Sequence, residues 1–195
     1  MSTQATNKVI NLKDRTGITT EPLPGSEKFY LQGSRDDLLV PFRRINLTDT
    51  PNADPSLPGT PNEPVVVYDT SGLYTDPNAK IDIEAGLPLI RQKWIEERAD
   101  CEQLEAFSSH YTREQDAQDF DIPLFEHRRL PLKAKPGQNV TQIHYARKGI
   151  ITPEMEYIAI RESMGREALA QRGELPADME HYITAEYVRK EVAEG

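Results

Sequence analysis

The chain has 195 residues, of which 37% are hydrophobic and 28% are charged, and its formal net charge at pH 7 is −9. An acidic chain repels the phosphate backbone, so this balance argues against nucleic-acid binding. The one cysteine, Cys101, excludes an internal disulfide and any zinc or iron–sulfur site that needs several thiolates. The low apolar fraction indicates either that polar loops dilute a folded part or that the chain buries surface against a partner.

No apolar run approaches the roughly 18–20 residues of a membrane span. The start, MSTQATNKVINLKDR, lacks the apolar stretch of a secretory signal, so we expect a cytoplasmic protein. Residues 1–25 are polar and end in the breaker cluster EPLPG, which predicts a flexible N-terminal arm.

Two β-rich segments follow, KFYLQG up to Gly33 and LLVPFRRINL up to Leu47. Pro41 cannot donate a hydrogen bond to a neighbouring strand, so the second strand is predicted to lie at a sheet edge or to be broken. The next stretch, from Pro51 to Pro64, contains five prolines. It predicts a long loop, and we favour a disordered or variable loop over a functional one.

The β-branched run VVVY predicts a buried strand from Val65 to Tyr68, and DTSG follows it from Asp69. DTSG matches the triplet of aspartic proteases, but that chemistry needs a second aspartate from a matching half. The sequence contains no second copy of the motif. We therefore interpret DTSG as a turn of small polar residues.

GLPLIRQKWIEERAD predicts a helix, because Leu87, Ile90 and Trp94 recur at helical spacing with Trp94 in the core. YTREQDAQDF predicts a short polar helix. In that segment Thr112 and Gln115 have the spacing of a capping box.

The segment FEHRRLPLKAKPGQN is basic within an acidic chain. It would suit a phosphate group or an acidic partner surface, although we favour a solvated loop. Its cationic residues are His127, Arg128, Arg129, Lys133 and Lys135. The following VTQIHYAR alternates with a period of two from Val140 to Arg147, which predicts a strand ended by Gly149.

The segment KGIITPEMEYIAIRESMG predicts the first half of a longer helix. Thr152 is a good N-cap, and Glu154 and Glu156 then lie in the first turn, where the helix dipole favours carboxylates. Glu162 precedes Arg166 by four residues, the spacing of a helical ion pair. These interactions account for all three glutamates without an active site.

The apolar residues of this helix form two arcs. One contains Tyr157, Ile160, Met164 and Ala168, and the other contains Met155, Ile158 and Leu169. A helix with two apolar sides needs two packing partners, and we expect the second partner to be missing from this chain.

A last helix, AEYVRKEVAEG, is predicted to start from the N-cap Thr184. Its pattern places three apolar residues inward and pairs Glu186 with Lys190. The inward residues are Ala185, Val188 and Val192.

The residues that carry chemistry do not form a recognisable site. The sequence has no phosphate-binding glycine loop, no HExxH and no G-x-S-x-G motif. Four histidines are spread singly, which argues against a metal site, and Cys101 is more readily a half-buried or exposed thiol than a nucleophile. The histidines are His110, His127, His144 and His181.

An enzyme that uses Asp69, His144 or Glu156 as acid or base is the least favoured interpretation. Such an enzyme would gather these side chains in one concave pocket with perturbed pKa values. We therefore assign no catalytic, cofactor-binding or metal-binding residue.

Several long segments resemble the phosphomethylpyrimidine synthase (ThiC) family, the thiamine-pyrimidine synthases of bacteria and plastids. They are VYDTSGLYTDP, GLPLIRQKWIEERAD and HYARKGIITPEMEYIAIRESMGRE. FYLQGSRDDLLVPFRRINL is similar to the opening segment of that family. ITAEYVRKEVAEG is similar to the helix that leads into its (β/α)8 barrel. Together these segments cover most of residues 26–195.

The resemblance implies a radical carbon–carbon lyase that converts 5-aminoimidazole ribonucleotide to 4-amino-5-hydroxymethyl-2-methylpyrimidine phosphate. The family uses S-adenosylmethionine, a divalent metal and a [4Fe–4S] cluster held by a three-cysteine motif near its C-terminus. This sequence has no such motif and ends where the barrel is expected to begin. We therefore expect these cofactors to bind outside this segment.

The expected fold is α+β, with a small mixed or antiparallel sheet, several packed helices and long proline-rich loops. Residues 1–25 form the arm, and residues 26–195 form the N-terminal associated domain of the synthase. The expected role is structural, with the missing barrel and a second protomer of a bacterial cytoplasmic homodimer as partners. The alternative is a free-standing interaction or regulatory module that has lost the barrel.

Overall fold

The computed structural model describes residues 25–76, 78–82, 85–117 and 129–195. The strands are β1 (Ser26–Gln32), β2 (Leu39–Ile45), β3 (Val65–Tyr68), β4 (Cys101–Gln103) and β5 (Leu132–Ala134). The helices are α1 (Gln92–Arg98), α2 (His110–Ala117), α3 (Gln142–Arg147), α4 (Pro153–Gln171) and α5 (Ala185–Glu194). Two small antiparallel sheets and these helices confirm the predicted α+β class. The predicted arm lies almost entirely outside the described residues, and its boundary stays a prediction.

The larger sheet has the strand order β1-β2-β3, with β2 at its centre. Its register sets Phe29 beside Phe42 and Phe42 beside Tyr68, so three aromatic rings line one face of the sheet. Since side chains alternate along a strand, Val40 shares this face with Phe42, and both are fully buried. This face forms one wall of the core.

The prediction that Pro41 marks a sheet edge or a break is wrong, because Pro41 lies inside the central strand. Its carbonyl accepts a hydrogen bond from the Asp69 N–H at 3.1 Å, one residue beyond the end of β3. In an antiparallel strand the N–H and C=O of a residue point to the same side. The side of Pro41 that lacks an N–H therefore lies beyond the last paired residue of β3. The prediction of a buried β3 is also wrong, since Val65 and Val67 are exposed on this edge strand.

The loop that contains Pro51 and Pro64 is exposed but has internal structure. Thr50 and Thr60 exchange two backbone hydrogen bonds of 2.8 and 2.9 Å, which close the loop near its base. The Asn62 side chain donates to the Thr48 carbonyl at 2.6 Å. The loop is therefore exposed, and these hydrogen bonds hold its two ends together.

Helix α1 starts later than the sequence predicted, at Gln92. Ile90 is 62% exposed and lies before the helix, whereas Trp94 is buried as predicted. Helix α2 was also predicted, but its first turn is capped by Ser109, whose Oγ accepts from the Thr112 N–H at 3.0 Å. Thr112 is therefore a residue inside the helix and not its cap.

The segment Gln142–Arg147 is helix α3, so the strand predicted over VTQIHYAR is wrong. Thr141 caps this helix by accepting from the His144 N–H. Gly149, with φ of 77°, ends it in a left-handed conformation, and the next residue bonds back to the Tyr145 carbonyl at 2.9 Å. The caps at both ends stabilise the helix. The alternation of apolar and polar residues is too short to distinguish a strand from a helix.

Candidate docking surface

Helix α4 contacts the rest of the protein on two sides. On one side Tyr157, Ile160 and Met164 pack against the cluster that contains Phe42 and Trp94. The helix begins as the sequence predicted, since Thr152 accepts from the Met155 N–H and Pro153 is the first helical residue. The first apolar arc therefore faces the sheet.

The second apolar side of α4 packs on α3 and α5. Met155 and Ala159 form a buried cluster with Ala146 of α3 and Val188 of α5. The expectation that the second partner is missing is therefore wrong for Met155, because α3 and the C-terminal helix supply that partner. The other two residues of the second arc, Ile158 and Leu169, do not enter this cluster, and Ile158 is 41% exposed.

Glu154 joins α4 to α1. Arg98 donates to both of its carboxylate oxygens at 3.0 Å, and Arg91 adds bonds of 2.7 and 3.0 Å to Oε1. Burial acts to raise the pKa of Glu154, but these guanidinium bonds outweigh burial and hold that pKa at about 2, below its ordinary 4.5. Glu154 is therefore ionised at neutral pH and forms a contact between α4 and α1.

Glu156 joins α4 to the turn between β1 and β2. Its two oxygens accept from the backbone N–H and the hydroxyl of Ser34 at 2.6 and 2.7 Å. The turn approaches closely because Gly33 lacks a side chain. A Cβ at Gly33 would lie 2.6 Å from Leu38 Cδ2 and 2.7 Å from Glu156 Oε1.

The DTSG turn covers the other face of the sheet. Asp69 caps the turn by accepting from the Ser71 N–H at 2.7 Å, and a 3₁₀ turn (Gly72–Thr75) follows. Arg43 donates to Asp69 at 2.9 Å and to the Thr75 hydroxyl at 2.6 Å, and Lys28 lies 3.4 Å from the same carboxylate. The turn interpretation is confirmed, and Asp69 is a buried partner of two cations.

A groove of about 340 Å³ lies between the end of β1, α4 and the start of α5. Its walls are mostly apolar, and the side chains that form them include Leu31, Ile160, Met164, Tyr182 and Ile183. Glu156 and Glu167 are the carboxylates at the groove, and its lining among the described residues contains no lysine or arginine.

A second depression of about 260 Å³ shares Tyr182 and Ile183 with this groove. It adds the carboxylates of Asp178 and Glu180 and the guanidinium of Arg166. Arg166 donates to the Glu180 carbonyl at 2.9 Å. Among the described residues that line the two depressions, it is the one cation against the carboxylates of Glu156, Glu167, Asp178 and Glu180. We call the two depressions together the α4–α5 groove. It is an apolar surface with an acidic rim.

The three residues considered as acid or base groups have separate positions. Asp69 lies under the sheet, Glu156 binds Ser34, and His144 lies on α3 beside the ring of Tyr145. Glu156 lines the groove, but Asp69 and His144 do not. Among the described residues no group of three or more His, Cys, Asp and Glu side chains is arranged to hold a metal ion.

Cys101 is half-buried in β4, as the sequence predicted. Burial raises the pKa of its thiol, and the neighbouring Asp100 carboxylate raises it further. A raised pKa keeps the sulfur in its unreactive thiol form at neutral pH. Arg98 and Lys135 act to lower the pKa of Cys101, but burial and Asp100 outweigh them, so the thiol lacks the lowered pKa of a nucleophilic cysteine.

The basic segment is only partly described, since His127 and Arg128 lie outside the described residues. Three of its cations bind groups of the protein itself. Arg129 donates to the Leu87 carbonyl at 2.6 Å, Lys135 donates to the Ala99 carbonyl at 2.6 Å, and Lys133 lies 3.2 Å from Glu102. The predicted solvated loop is wrong in part, because Leu132–Ala134 form β5, and the internal contacts of the three cations also argue against a phosphate site.

Residues 22–102 match the family model of the ThiC-associated domain. The match covers β1 to β3, α1 and the start of β4, and includes the DTSG turn. This part of the chain is therefore a ThiC-associated domain, which confirms the predicted resemblance to the N-terminal associated domain of the ThiC family. It relates the chain to ThiC of thiamine biosynthesis. Within the described residues, no helix is both long enough and apolar enough to cross a membrane.

Proposed function

We propose that this chain is the N-terminal part of a cytoplasmic phosphomethylpyrimidine synthase and that it has a structural role. The match at residues 22–102 supports this assignment for the first half, and the sequences of residues 144–167 and 183–195 resemble the same family. In this proposal the catalytic barrel and a second protomer are the partners. The barrel then carries the rearrangement of 5-aminoimidazole ribonucleotide.

The observation that supports a structural role is that the carboxylates at the start of α4 bind other parts of the protein. Both carboxylates of its first turn form internal hydrogen bonds, Glu154 with Arg98 and Glu156 with Ser34. These bonds, together with the apolar contacts of α4 with the sheet and with α5, connect the sheet, α1 and the C-terminal helix α5. A rigid connector of this kind suits a domain that positions the polypeptide that follows it.

The residues of the chain do not fit an iron–sulfur cluster. A cluster site of this kind uses several thiolate ligands, and Cys101 is the one cysteine in the sequence. Its sulfur lies 3.6 Å from the Asp100 carboxylate, which opposes formation of the thiolate that a metal needs. No reaction step is therefore assigned to this chain.

Co-purification with the remainder of the synthase tests the proposal. The chain and a separately produced barrel polypeptide from a phosphomethylpyrimidine synthase are mixed, and their assembly is followed by size-exclusion chromatography with light scattering. We expect a stoichiometric complex that withstands dilution. If the two polypeptides elute separately at micromolar concentrations, a role in packing on the barrel is excluded.

A further inference from the structure

We propose that the α4–α5 groove docks a basic amphipathic segment of a protein partner, with an apolar side chain in the groove and lysine or arginine at its rim. This inference concerns the chemistry of the partner and goes beyond the proposed function. It rests on the shape and charge of the groove.

The apolar walls of the groove are open to solvent where a partner side chain would enter. Tyr182 is 64% exposed and lines both depressions, and Met179 beside it is 41% exposed. Burying such surface against a partner is favourable by roughly 25 cal/mol for each Å² of apolar area. An apolar side chain of a partner would therefore gain from occupying this groove.

The rim has an excess of negative charge that the described residues do not neutralise. Many other carboxylates are paired with cations, for example Asp37 with Arg35 and Glu102 with Lys133. Within the described part of the chain, Glu167 has no hydrogen bond or ion pair, and Glu156 accepts from Ser34 alone. Carboxylates accept but cannot donate, so the complementary group on a partner is a cation.

The groove is poorly suited to a small polar ligand. Sites for small molecules combine apolar walls with convergent polar groups that fix the orientation of the ligand. The walls contain the hydroxyls of Tyr182 and Ser163, and the hydroxyl of Ser163 is occupied on both sides. It donates to the Ile183 carbonyl at 3.1 Å and accepts from the Ile183 N–H at 2.9 Å. An apolar side chain flanked by cations matches the remaining features better.

The probe for this proposal is a synthetic helical peptide with leucine at positions i, i+3, i+4 and i+7 and lysine at the others. A matched peptide keeps the leucines and replaces lysine by glutamate. Each peptide is titrated into the full chain labelled with ¹⁵N, and amide shifts are recorded. We expect the lysine peptide to shift Met164, Tyr182 and Ile183, and the glutamate peptide to leave them unchanged.

Two charge-reversal variants make the titration specific. Glu167→Lys changes the rim, whereas Glu105→Lys makes the same charge change at an exposed residue that does not line the groove. We expect Glu167→Lys to weaken binding of the lysine peptide roughly fivefold and Glu105→Lys to leave it unchanged. Tyr182→Ser tests the apolar contribution and should also weaken binding.

The proposal is overturned by any of three results. They are binding of neither peptide, equal binding of both peptides, and equal weakening by Glu167→Lys and Glu105→Lys. The last result would mean that the peptide responds to net charge alone. Each of these results leaves the co-purification test of the proposed function untouched, and separate elution in that test leaves this titration untouched.

Discussion

The guanidinium of Arg98 binds both carboxylate oxygens of Glu154 across the contact between α1 and α4, each at 3.0 Å. The two residues are 56 positions apart in the sequence. The contact is bidentate, a geometry that Arg forms with a carboxylate and Lys cannot reproduce. It fixes the first turn of α4 against α1.

Removing the charge of Glu154 should destabilise the fold. Glu154→Gln keeps the shape of the side chain but weakens its bonds to Arg98 and Arg91, and we expect a loss of about 2 kcal/mol in the free energy of unfolding. Urea unfolding followed by Trp94 fluorescence measures this loss. The matched control is Glu162→Gln on the same helix, where an exposed pair with Arg161 at 3.5 Å should contribute below about 0.5 kcal/mol. Equal losses in the two variants would contradict a special role for Glu154.

The Glu154 contact also predicts a pH dependence. The pKa of Glu154 is about 2 in the folded protein and 4.5 ordinarily, so its contribution is complete above pH 4.5 and is lost as the pH falls towards 2. The free energy of unfolding is measured from pH 6 to the lowest pH at which the protein folds, for the unmodified chain and for Glu154→Gln. Their difference should narrow below pH 4.5. A difference that stays constant would show that Glu154 does not titrate as expected.

Two glycines should respond oppositely to alanine. In Gly33→Ala the new Cβ would meet Leu38 and Glu156 at 2.6 and 2.7 Å, so we expect a loss of roughly 1–3 kcal/mol. Gly165 lies inside α4 with open space where a Cβ would go, so Gly165→Ala should stabilise by about 0.5–1 kcal/mol. Chemical denaturation of both variants provides the test. If Gly33→Ala leaves stability unchanged or raises it, the close approach of the β1–β2 turn to α4 is incorrect.

The two threonine caps should differ in their importance. Thr152 is buried and also donates to Gln142 at 2.6 Å, whereas Thr184 is an exposed cap of α5. We expect Thr152→Ala to cost about 2 kcal/mol and Thr184→Ala about 1 kcal/mol. Thermal unfolding should rank them in that order, with Thr152→Ser recovering most of the loss. The reverse ranking would count against the buried cap.

Local signals were sufficient to predict the ends of several elements. Thr152 and Thr184 were predicted as N-caps because capping depends on neighbouring residues, and VVVY was placed correctly as a strand. Pro41 was misjudged because the cost of its missing N–H depends on where β3 ends. VTQIHYAR was misjudged because a run of this length fits both periodicities.

Two kinds of contact could not be predicted from local sequence patterns: contacts between distant residues, and the choice between neighbouring ion-pair partners on a helix. Glu156 meets Ser34 across 122 positions, and Glu186 pairs with Arg189, not with the predicted Lys190. The prediction that Glu162 pairs with Arg166 is also wrong, because Arg166 donates to the Glu180 carbonyl and Glu162 pairs with Arg161. Glu167 and Tyr182 come together only when α5 folds back on α4. Their positions in the sequence gave no reason to group them.

In the function proposed above, this chain shapes a synthase without catalysing its reaction. The most direct measurement is consumption of S-adenosylmethionine after anaerobic reconstitution with iron and sulfide, by the chain alone and by the chain mixed with the barrel polypeptide. We expect no iron–sulfur absorbance and no consumption above the blank with the chain alone, and turnover in the mixture. Cluster absorbance with turnover by the chain alone would contradict the claim.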